Sequence, residues 1–289
     1  MSKLIFTDCE ANFEEADIVL FGAPYDATST HRKGSKLAPK AIRKESVNVE
    51  TYSPYIERDL LDISVHDAGD LVFKSAAPAT MVNTVEAEAT MILDAGKFPV
   101  LLGGEHLVTL GAFRAIHKKY KDVCLIHFDA HTDLRDDWCG EKLNHSTVIR
   151  RCFDVLYAAP LQGGLGALRI FQFGIRSGER AEFEWAKQNT SLCKHDFSNL
   201  DSAIHTISNR PVYFTIDLDI LDPSEFGGTG TPEAGGVSFR ALMEATTKVF
   251  KNLNVVGCDI TELSPPYDSN GTSTALACKY IREVLLLIK

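Results

Sequence analysis

Two short acidic segments hold the residues of this 289-residue chain whose types and spacing point most directly to chemistry. They are Asp129-Ala-His131-Thr-Asp133 and Asp217-Leu-Asp219, and each follows an apolar run. Side chains two positions apart on an extended chain point the same way, so each segment presents its ionisable groups together. Four carboxylates that face one small space repel one another unless cations lie between them. The pattern therefore predicts a binuclear site for divalent metal ions, and hydrolysis is a chemistry that such centres perform.

The donor types around these segments indicate which metals they would bind. A third segment, Gly103-Gly-Glu-His106, also follows an apolar run and ends in a histidine. Together the segments offer carboxylates and imidazoles without a thiolate, at His106, Asp129, His131, Asp133, Asp217 and Asp219. This hard, oxygen-rich set suits Mn²⁺ better than a structural Zn²⁺. Two divalent ions would balance the aspartates, and a bridging hydroxide with Glu262 nearby would make the pocket favour a positively charged reacting group.

The elements that must position these residues follow from the pattern of apolar positions. Short strand-like runs alternate with longer helical patterns, which predicts parallel strands joined by helices. The candidate strands are 17–22, 100–103, 123–129, 170–174, 212–218 and 255–260, and the candidate helices include 38–45, 79–94, 108–119, 180–188, 239–252 and 273–287. The metal-type residues come directly after strands, and ligand sites of open α/β sheets lie at the carboxyl ends of the strands. We therefore expect one α/β domain over residues 1–289, with its site at that edge.

Composition sets limits on partners and location. Hydrophobic residues make up 45% of the chain and charged residues 24%, which is typical of a globular protein. The net charge of −9 argues against nucleic acid or an anionic membrane as a partner. No apolar run approaches the roughly 20 residues that span a bilayer, and the first residues show no signal-peptide pattern. The seven cysteines form no C-x-x-C pair, so we expect a reduced, cytoplasmic protein.

A series of motifs makes the chain resemble the ureohydrolase family, which includes arginases and agmatinases, and more closely its agmatinase branch. The motifs extend over nearly the whole chain. In order, they are Phe21-Gly-Ala-Pro24-Tyr-Asp26 with Arg32, Gly34, Pro39 and Ile42-Arg43; Gly103-Gly-Glu-His106; Asp129-Ala-His-Thr-Asp133; Gly174-Ile-Arg-Ser-Gly-Glu179; Thr215-Ile-Asp-Leu-Asp-Ile-Leu-Asp-Pro223; Gly228-Thr-Gly-Thr-Pro-Glu-Ala-Gly-Gly236; and Asp259-Ile-Thr-Glu262-Leu-Ser-Pro265. Their order and their places after strands make the resemblance specific.

The resemblance implies a fold, a cofactor and an assembly. The fold would be a three-layer α/β/α arrangement with a mainly parallel sheet of about eight strands. Each subunit would bind two Mn²⁺ ions, one held by His106, Asp129, Asp133 and Asp217, the other by Asp129, His131, Asp217 and Asp219. The family also suggests a homo-oligomer, either a trimer or a hexamer.

The resemblance further implies a mechanism for hydrolysis of a guanidino group. A metal-bridging hydroxide would attack the guanidinium carbon, which is a poor electrophile. Glu262 matches the carboxylate that binds the guanidinium, and two oxygens suit a planar fork of N–H donors. His145 aligns with the histidine of the family's proton relay, and the alternative for it is an ordinary surface histidine. Asn144 would contact the substrate beside it, and Asp133 is a ligand that would also carry a proton.

Substrate choice depends on the end of the substrate that is distant from the reacting group. The loop 134–144 is rich in acid, including Asp136 and Asp137, which would suit the second ammonium of agmatine. We therefore favour hydrolysis of agmatine to putrescine and urea. The alternatives are an arginase, a guanidinobutyrase or a formimidoylglutamase-type enzyme, for which Arg135 or Arg176 could anchor a carboxylate. A non-catalytic metal-binding protein of the same fold is a further alternative.

Two other features have simpler explanations. His127 lies two residues before Asp129 on the same predicted strand, so its side chain points to the same face but farther from the carboxyl end. We therefore expect it in the core or in support of a ligand. Gly163-Gly-Leu-Gly166 resembles a phosphate loop but lacks the Lys-Ser/Thr ending and precedes a strand, so we interpret it as a connector.

Overall fold

Strands and helices alternate along the chain in the computed structural model, which describes residues 4–158 and 168–289. The strands are β1 Ile18–Ala23, β2 Tyr52–Ser53, β3 Arg58–Asp59, β4 Val65–Asp70, β5 Phe98–Gly103, β6 Cys124–Phe128, β7 Ile170–Ile175, β8 Ser191–Lys194, β9 Pro211–Asp217 and β10 Asn254–Thr261. The helices are α1 Ala38–Glu45, α2 Pro78–Asp94, α3 Thr109–Lys119, α4 Val148–Tyr157, α5 Arg180–Asn189, α6 Leu200–Ile207, α7 Phe239–Asn252 and α8 Thr272–Leu287.

Eight of these strands form one sheet in the order β4-β1-β5-β10-β9-β6-β7-β8. Every neighbouring pair in this sheet is parallel. The two remaining strands, β2 and β3, form a short antiparallel pair of their own. The prediction of a mainly parallel sheet of about eight strands is therefore confirmed.

Helices cover both faces of the sheet. Successive side chains of a strand point to opposite faces, and in β1 Ile18 and Leu20 pack into one core while Val19 and Phe21 pack into the other. The first core also contains residues of α1, α6, α7 and α8. The second contains residues of α2, α3, α4 and α5. The sheet is thus the middle of three layers, as the resemblance implied, and both of its faces are apolar.

The predicted elements are all present, with ends that differ by at most two residues. The prediction did not name two edge strands, β4 and β8, or two helices, α4 and α6. An edge strand has a neighbour on one side only, so it needs no continuous apolar run; β4 reads Val-His-Asp-Ala-Gly-Asp. The predicted connector at Gly163–Gly166 lies outside the described residues. Within the described ranges, no helix is both long and apolar enough to cross a bilayer.

The order of the strands brings the motif segments together. β5, β10, β9 and β6 are four consecutive strands in the middle of the sheet. His106 follows β5, Asp129 follows β6, Asp217 ends β9 and Glu262 follows β10. Because these strands are parallel, their carboxyl ends meet at one edge, and the polar segments converge there.

Candidate metal centre

His106 lies at the centre of the first group of converging side chains. Its Nδ1 atom is 3.1 Å from Asp129 Oδ2, 3.1 Å from Asp133 Oδ2 and 3.7 Å from Asp217 Oδ2. The histidine is fully buried, and Nδ1 has no partner in hydrogen-bond geometry among the described residues. Oxygens therefore surround a buried nitrogen without forming hydrogen bonds to it. This is an arrangement that a cation between the atoms would stabilise.

His131 is the nitrogen donor of a second group beside the first. Its Nδ1 atom is 3.0 Å from Asp219 Oδ2 and 3.5 Å from Asp129 Oδ1. The possible ligand atoms of His131, Asp129 and Asp219 lie within 4.8 Å of one another. Asp129 takes part in both groups, with Oδ2 toward His106 and Oδ1 toward His131. One carboxylate thus faces two separate clusters of donors.

Asp217 borders the first group and has one oxygen already engaged. Its Oδ1 atom accepts a hydrogen bond of 2.8 Å from the backbone N–H of Asp219. Its Oδ2 atom points toward His106. Only Oδ2 is therefore directed into the space between the donors.

The spacing of the donors fits divalent metal ions. Ligand atoms about 2.1 Å from an ion in octahedral geometry lie about 3.0 Å apart. The contacts of His106 Nδ1 with Asp129 and Asp133, and of His131 Nδ1 with Asp219, are 3.0–3.1 Å. The unpartnered Nδ1 of His106 offers, in the neutral ring, the lone pair that a metal needs. Donor chemistry and spacing both fit divalent metal ions.

The electrostatics of the cluster also show a need for positive charge. Burial opposes ionisation of Asp129, but neighbouring imidazoles, led by His127, hold the pKa of Asp129 well below its ordinary value. Burial raises the pKa of Asp217 well above its ordinary value, and the charge of Asp219 raises it further. Burial opposes protonation of His106, yet Asp129 and Asp133 hold the pKa of that imidazole well above its ordinary value. The carboxylates therefore attract any available cation strongly.

His127 lies close enough to the first group to be mistaken for a ligand. Its Nε2 atom is 2.7 Å from Asp129 Oδ2, and its Nδ1 atom is 3.0 Å from the side-chain nitrogen of Gln172. The same Gln172 nitrogen donates to the carbonyl of Thr132, and its oxygen accepts from Thr190, which fixes the orientation of the amide. His127 therefore accepts at Nδ1 and donates from Nε2 to Asp129. It supports the carboxylate and has no lone pair directed at the centre.

Glu262 lies just behind the cluster in an unusual backbone conformation. Its φ is +65°, a left-handed value that non-glycine residues adopt rarely. Oε1 accepts a 2.8 Å hydrogen bond from the backbone N–H of His106 and lies 3.4 Å from Nδ1 of His145. These described partners face Oε1, which leaves Oε2 for a ligand.

His145 is held by a loop from a distant part of the chain. The backbone N–H of Thr30 donates to His145 Nε2 at 3.0 Å, so the proton of the neutral ring is on Nδ1, facing Glu262. Burial opposes protonation, but the hydrogen bond and charge of Glu262 hold the pKa of His145 above its ordinary value. Asn144 is buried; its amide donates to the carbonyl of Thr28 and accepts from Ser146 N–H. Both ends of the Asn144 amide therefore have partners within the protein.

A cavity of about 290 Å³ opens onto the cluster. His131, Asp133 and His145 line its inner part, together with Asp217. The wall includes Arg135, Trp138, Glu179 and Glu182 from outside the ligand segments. The expectation that Asp136 and Asp137 supply acid here fails: Asp136 pairs with Arg151, Asp137 accepts from Gly140 N–H, and neither is among the described lining residues.

A larger cavity of about 870 Å³ lies at the opposite edge of the sheet. Its lining includes Ile18, Phe98 and Val255, which are at the amino ends of β1, β5 and β10. The ionisable motif residues are at the other edge. The smaller cavity is therefore the candidate active site.

Glu105 is a buried residue of the site that the sequence analysis left without a role. Its carboxylate accepts from the backbone N–H of Thr28 at 2.9 Å and from the hydroxyl of Ser29 at 3.1 Å, and it also bonds the Thr28 hydroxyl. Burial raises the pKa of Glu105 to about 7. The sequence signal for such a residue was the position of Glu105 inside the Gly103-Gly-Glu-His106 turn. A carboxylate buried in a turn needs several hydrogen-bond donors around it.

The fold and the cluster define a class of protein, a metal-dependent hydrolase built on an α/β/α sheet. The arginase family model matches residues 16–287. An agmatinase of Bacillus anthracis is 42% identical over 99% of this chain and 96% of its own length. A crystal structure from Clostridium difficile, 42% identical, superposes with a TM-score of 0.89 over 96% of this chain and 98% of that one. The crystal structure of the agmatine ureohydrolase of Thermoplasma volcanium is 36% identical and has a TM-score of 0.88 over 99% and 94% of the two chains.

The chain belongs to the arginase family, the ureohydrolases, and within it to the agmatinase branch. The resemblance inferred from the motifs is therefore confirmed. The protein is a hydrolase that acts on guanidino carbon–nitrogen bonds.

Proposed function

We propose that this protein hydrolyses agmatine to putrescine and urea at a pair of Mn²⁺ ions. The observation that carries the proposal is the convergence of carboxylates and imidazoles at one sheet edge, beside Glu262 and His145. The similarity to agmatinases over nearly the full chain supports the choice of substrate.

The two groups of donors, one around His106 and one around His131, support two sites for metal ions. We assign His106, Asp129, Asp133 and Asp217 to one ion, and Asp129, His131, Asp217 and Asp219 to the other. The division of Asp129, with one oxygen toward each histidine, supports its role as a bridge. Asp217 would offer Oδ2 as its ligand atom, since Oδ1 binds the backbone. When bound, such an ion pair acidifies water at neutral pH and thereby supplies the nucleophile.

Glu262 would bind the guanidinium of the substrate. A carboxylate accepts N–H donors from a planar guanidinium, and Oε2 is free for this contact while Oε1 remains anchored to the His106 backbone. The left-handed backbone at Glu262 directs the carboxylate toward His145 and the cluster. Binding would place the guanidinium carbon beside the ligand residues.

His145 would supply the proton that the departing amine needs. Its ring can gain and lose a proton at Nε2 with a partner in both states. The Thr30 N–H donates to neutral Nε2, and the Thr30 hydroxyl, 2.9 Å away, can accept from protonated Nε2. Asp133 lines the same cavity and would be a second proton carrier. For Asn144, the described contacts favour holding the loop that carries His145, so we propose that it aids substrate binding through that loop.

Contacts of two arginines favour agmatine over substrates that carry a carboxylate. Arg135 pairs with Glu179 and stacks on Trp138 at 4.7 Å. Arg176 donates to backbone carbonyls, including those of Asp219 at 2.7 Å and Glu233 at 2.9 Å. Both candidate anchors for a carboxylate are thus engaged, and Glu179 and Glu182 add negative charge to the wall.

The test is product release by purified, Mn²⁺-loaded protein at matched substrate concentrations, measured as urea from agmatine, arginine and 4-guanidinobutanoate and as formamide from formiminoglutamate. We expect agmatine to exceed the other guanidino compounds in kcat/KM by at least a hundredfold, about 3 kcal/mol of discrimination. Faster turnover of a carboxylate-bearing compound would contradict the substrate assignment. No product from any of them would favour the non-catalytic alternative.

The assembly and the location stay predictions. A homo-oligomer, trimer or hexamer, and a cytoplasmic location rest on the family resemblance and composition. Sedimentation of the purified protein would test the first.

A further inference from the structure

We propose that Asp259, acting through Thr215, holds His106 in the tautomer and orientation that bind a metal ion, and so raises the metal affinity of the centre. The inference rests on the proposed metal centre. Asp259 does not reach the ligand space itself, so it is a positioning residue.

A line of short hydrogen bonds leads from Asp259 to the histidine. Thr215 Oγ1 lies 2.6 Å from Asp259 Oδ1, and His106 Nε2 lies 2.8 Å from the same Thr215 hydroxyl. Tyr213 donates its hydroxyl to Asp259 Oδ2 at 2.6 Å. All four side chains belong to residues with no exposed surface. Solvent therefore cannot replace any partner in this line.

An ionised Asp259 fixes the order of the donors and acceptors. Both oxygens of Asp259 accept hydroxyl protons at 2.6 Å, the distance typical of a charged acceptor. A hydroxyl has one proton, so Thr215 donates it to Asp259 and accepts from His106. The proton of His106 is therefore on Nε2. In the neutral ring, which is the form that binds a metal, Nδ1 keeps a lone pair, and this is the atom that faces the carboxylates at 3.1 Å.

The sheet fixes this line rigidly. Asp259 in β10 and Thr215 in β9 are direct partners in the register of the two strands. Tyr213 is two residues from Thr215 on the same strand, so both hydroxyls point to the same face. Neighbouring central strands of a buried sheet are among the most ordered parts of a protein. The carboxylate is thus presented to His106 without a flexible segment.

The buried negative charge of Asp259 would favour binding of a metal ion to His106. The described partners of Asp259 are hydroxyls, which stabilise a buried charge less than a cation does. A metal ion on the far side of His106 would provide positive charge along the same line. In metal sites generally, a carboxylate behind a ligating histidine raises the basicity of the ligand, and its loss costs about 10–100-fold in metal affinity.

The chain offers matched variants to test the line. Thr215→Val removes the linking hydroxyl and keeps the shape, whereas Thr215→Ser keeps the hydroxyl. Asp259→Asn keeps the size and removes the charge. Tyr213→Phe removes a bond of equal length to the same carboxylate but leaves the line to His106 intact.

The experiment is titration of metal-free protein with Mn²⁺, with free Mn²⁺ measured by electron paramagnetic resonance. We expect two ions per chain in the wild type, and about 10–100-fold weaker binding of one of them in Thr215→Val and Asp259→Asn. Thr215→Ser should stay within about threefold of the wild type. Tyr213→Phe should lower Tm, because it removes a buried hydrogen bond, but its Mn²⁺ affinity should stay within the same limit. This control separates a loss of stability from a loss of metal affinity.

Each outcome bears on the inference. If Thr215→Val and Asp259→Asn bind Mn²⁺ as tightly as the wild type, the inference is overturned, but the proposed metal centre is not. The same conclusion follows if Tyr213→Phe weakens Mn²⁺ binding as much as these two variants do. A wild type that binds less than one ion per chain would remove the proposed centre as well. If the two main variants do not fold, nuclear magnetic resonance of the Zn²⁺-loaded wild type decides: His106 must show a slowly exchanging proton on Nε2, and its absence overturns the inference.

Discussion

Glu262 has two roles that a substitution can separate. Its Oε1 atom accepts from the His106 backbone, and its negative charge would bind the guanidinium. Glu262→Gln keeps an oxygen for the backbone N–H of His106 but removes the negative charge that would face the guanidinium. We expect kcat/KM for agmatine to fall about a hundredfold, since a hydrogen bond to a charged group contributes roughly 1.5–3 kcal/mol. The number of bound Mn²⁺ ions should not change. Steady-state kinetics and a metal titration measure the two quantities.

The matched control is Glu179→Gln on the cavity wall, whose carboxylate already pairs with Arg135. This exposed pair should matter little, so its kcat/KM should change less than tenfold. Equal losses in the two variants would mean that Glu262 has no special role at the guanidinium.

Glu105 gives the stability of the protein a dependence on pH. Burial raises its pKa to about 7 in the folded protein, from an ordinary value of 4.5. The folded state therefore keeps a proton that the unfolded state has released. Its contribution to stability is present below pH 4.5 and is lost as pH rises to about 7. The loss amounts to about 3 kcal/mol across this window, since one pKa unit corresponds to about 1.4 kcal/mol.

Glu105→Gln isolates this effect. The amide oxygen can accept from Thr28 N–H and Ser29, and the amide nitrogen can donate to the Thr28 hydroxyl. Between pH 5 and 7.5, in buffer with EDTA, the wild type should lose more stability than the variant. Denaturation curves at several pH values measure the difference. Parallel curves would show that Glu105 does not titrate in this range.

At the scale of elements, the turn after β5 depends on close contact between backbones. A Cβ atom added at Gly104 would lie 2.0 Å from the carbonyl oxygen of Tyr25, and neither backbone can move easily. Gly104 N–H also bonds Ala23 O, and Glu262 N–H bonds Gly104 O. We expect Gly104→Ala to cost about 3 kcal/mol and to weaken Mn²⁺ binding, because the displaced turn carries His106.

Gly96→Ala is the control for this prediction. Gly96 has a φ of +78° and open space around the position of a Cβ atom. Its substitution should cost only about 1 kcal/mol, from the left-handed backbone, and should not affect metal binding. Thermal unfolding and Mn²⁺ titration compare the two variants. A Gly104→Ala protein as stable as Gly96→Ala would show that the turn adapts.

The sequence allowed the central elements to be predicted and left the long-range contacts open. Central strands such as β6 are buried on both faces and appear as apolar runs, whereas the edge strand β4 does not. The acidic segments were visible because their spacing is local. The line from His106 through Thr215 to Asp259 was not, since it depends on the pairing of β9 with β10. The same holds for Glu179 and Glu182, which reach the cavity from the start of α5.

At the scale of the whole molecule, the four central strands concentrate negative charge at one edge. The clustered aspartates are almost completely buried; those in this group are Asp129, Asp133, Asp217 and Asp219. Without cations, burial and mutual repulsion raise the free energy of the folded state. The middle of the sheet is therefore the place where ion binding and folding are coupled, because both helix layers pack against these strands.

This coupling predicts that metal removal destabilises the entire fold. An ion that binds only the folded state at a thousand times its Kd contributes about 4 kcal/mol, which corresponds to a Tm shift of roughly 7 °C at this chain length. Differential scanning calorimetry should show a lower Tm in EDTA than in excess Mn²⁺. Asp219→Asn, which alters one group of donors only, should retain part of the shift. Equal Tm values for the wild type in EDTA and Mn²⁺ would mean that the carboxylates hold no ion, because no metal-binding cluster of this charge could be thermodynamically indifferent to its cations.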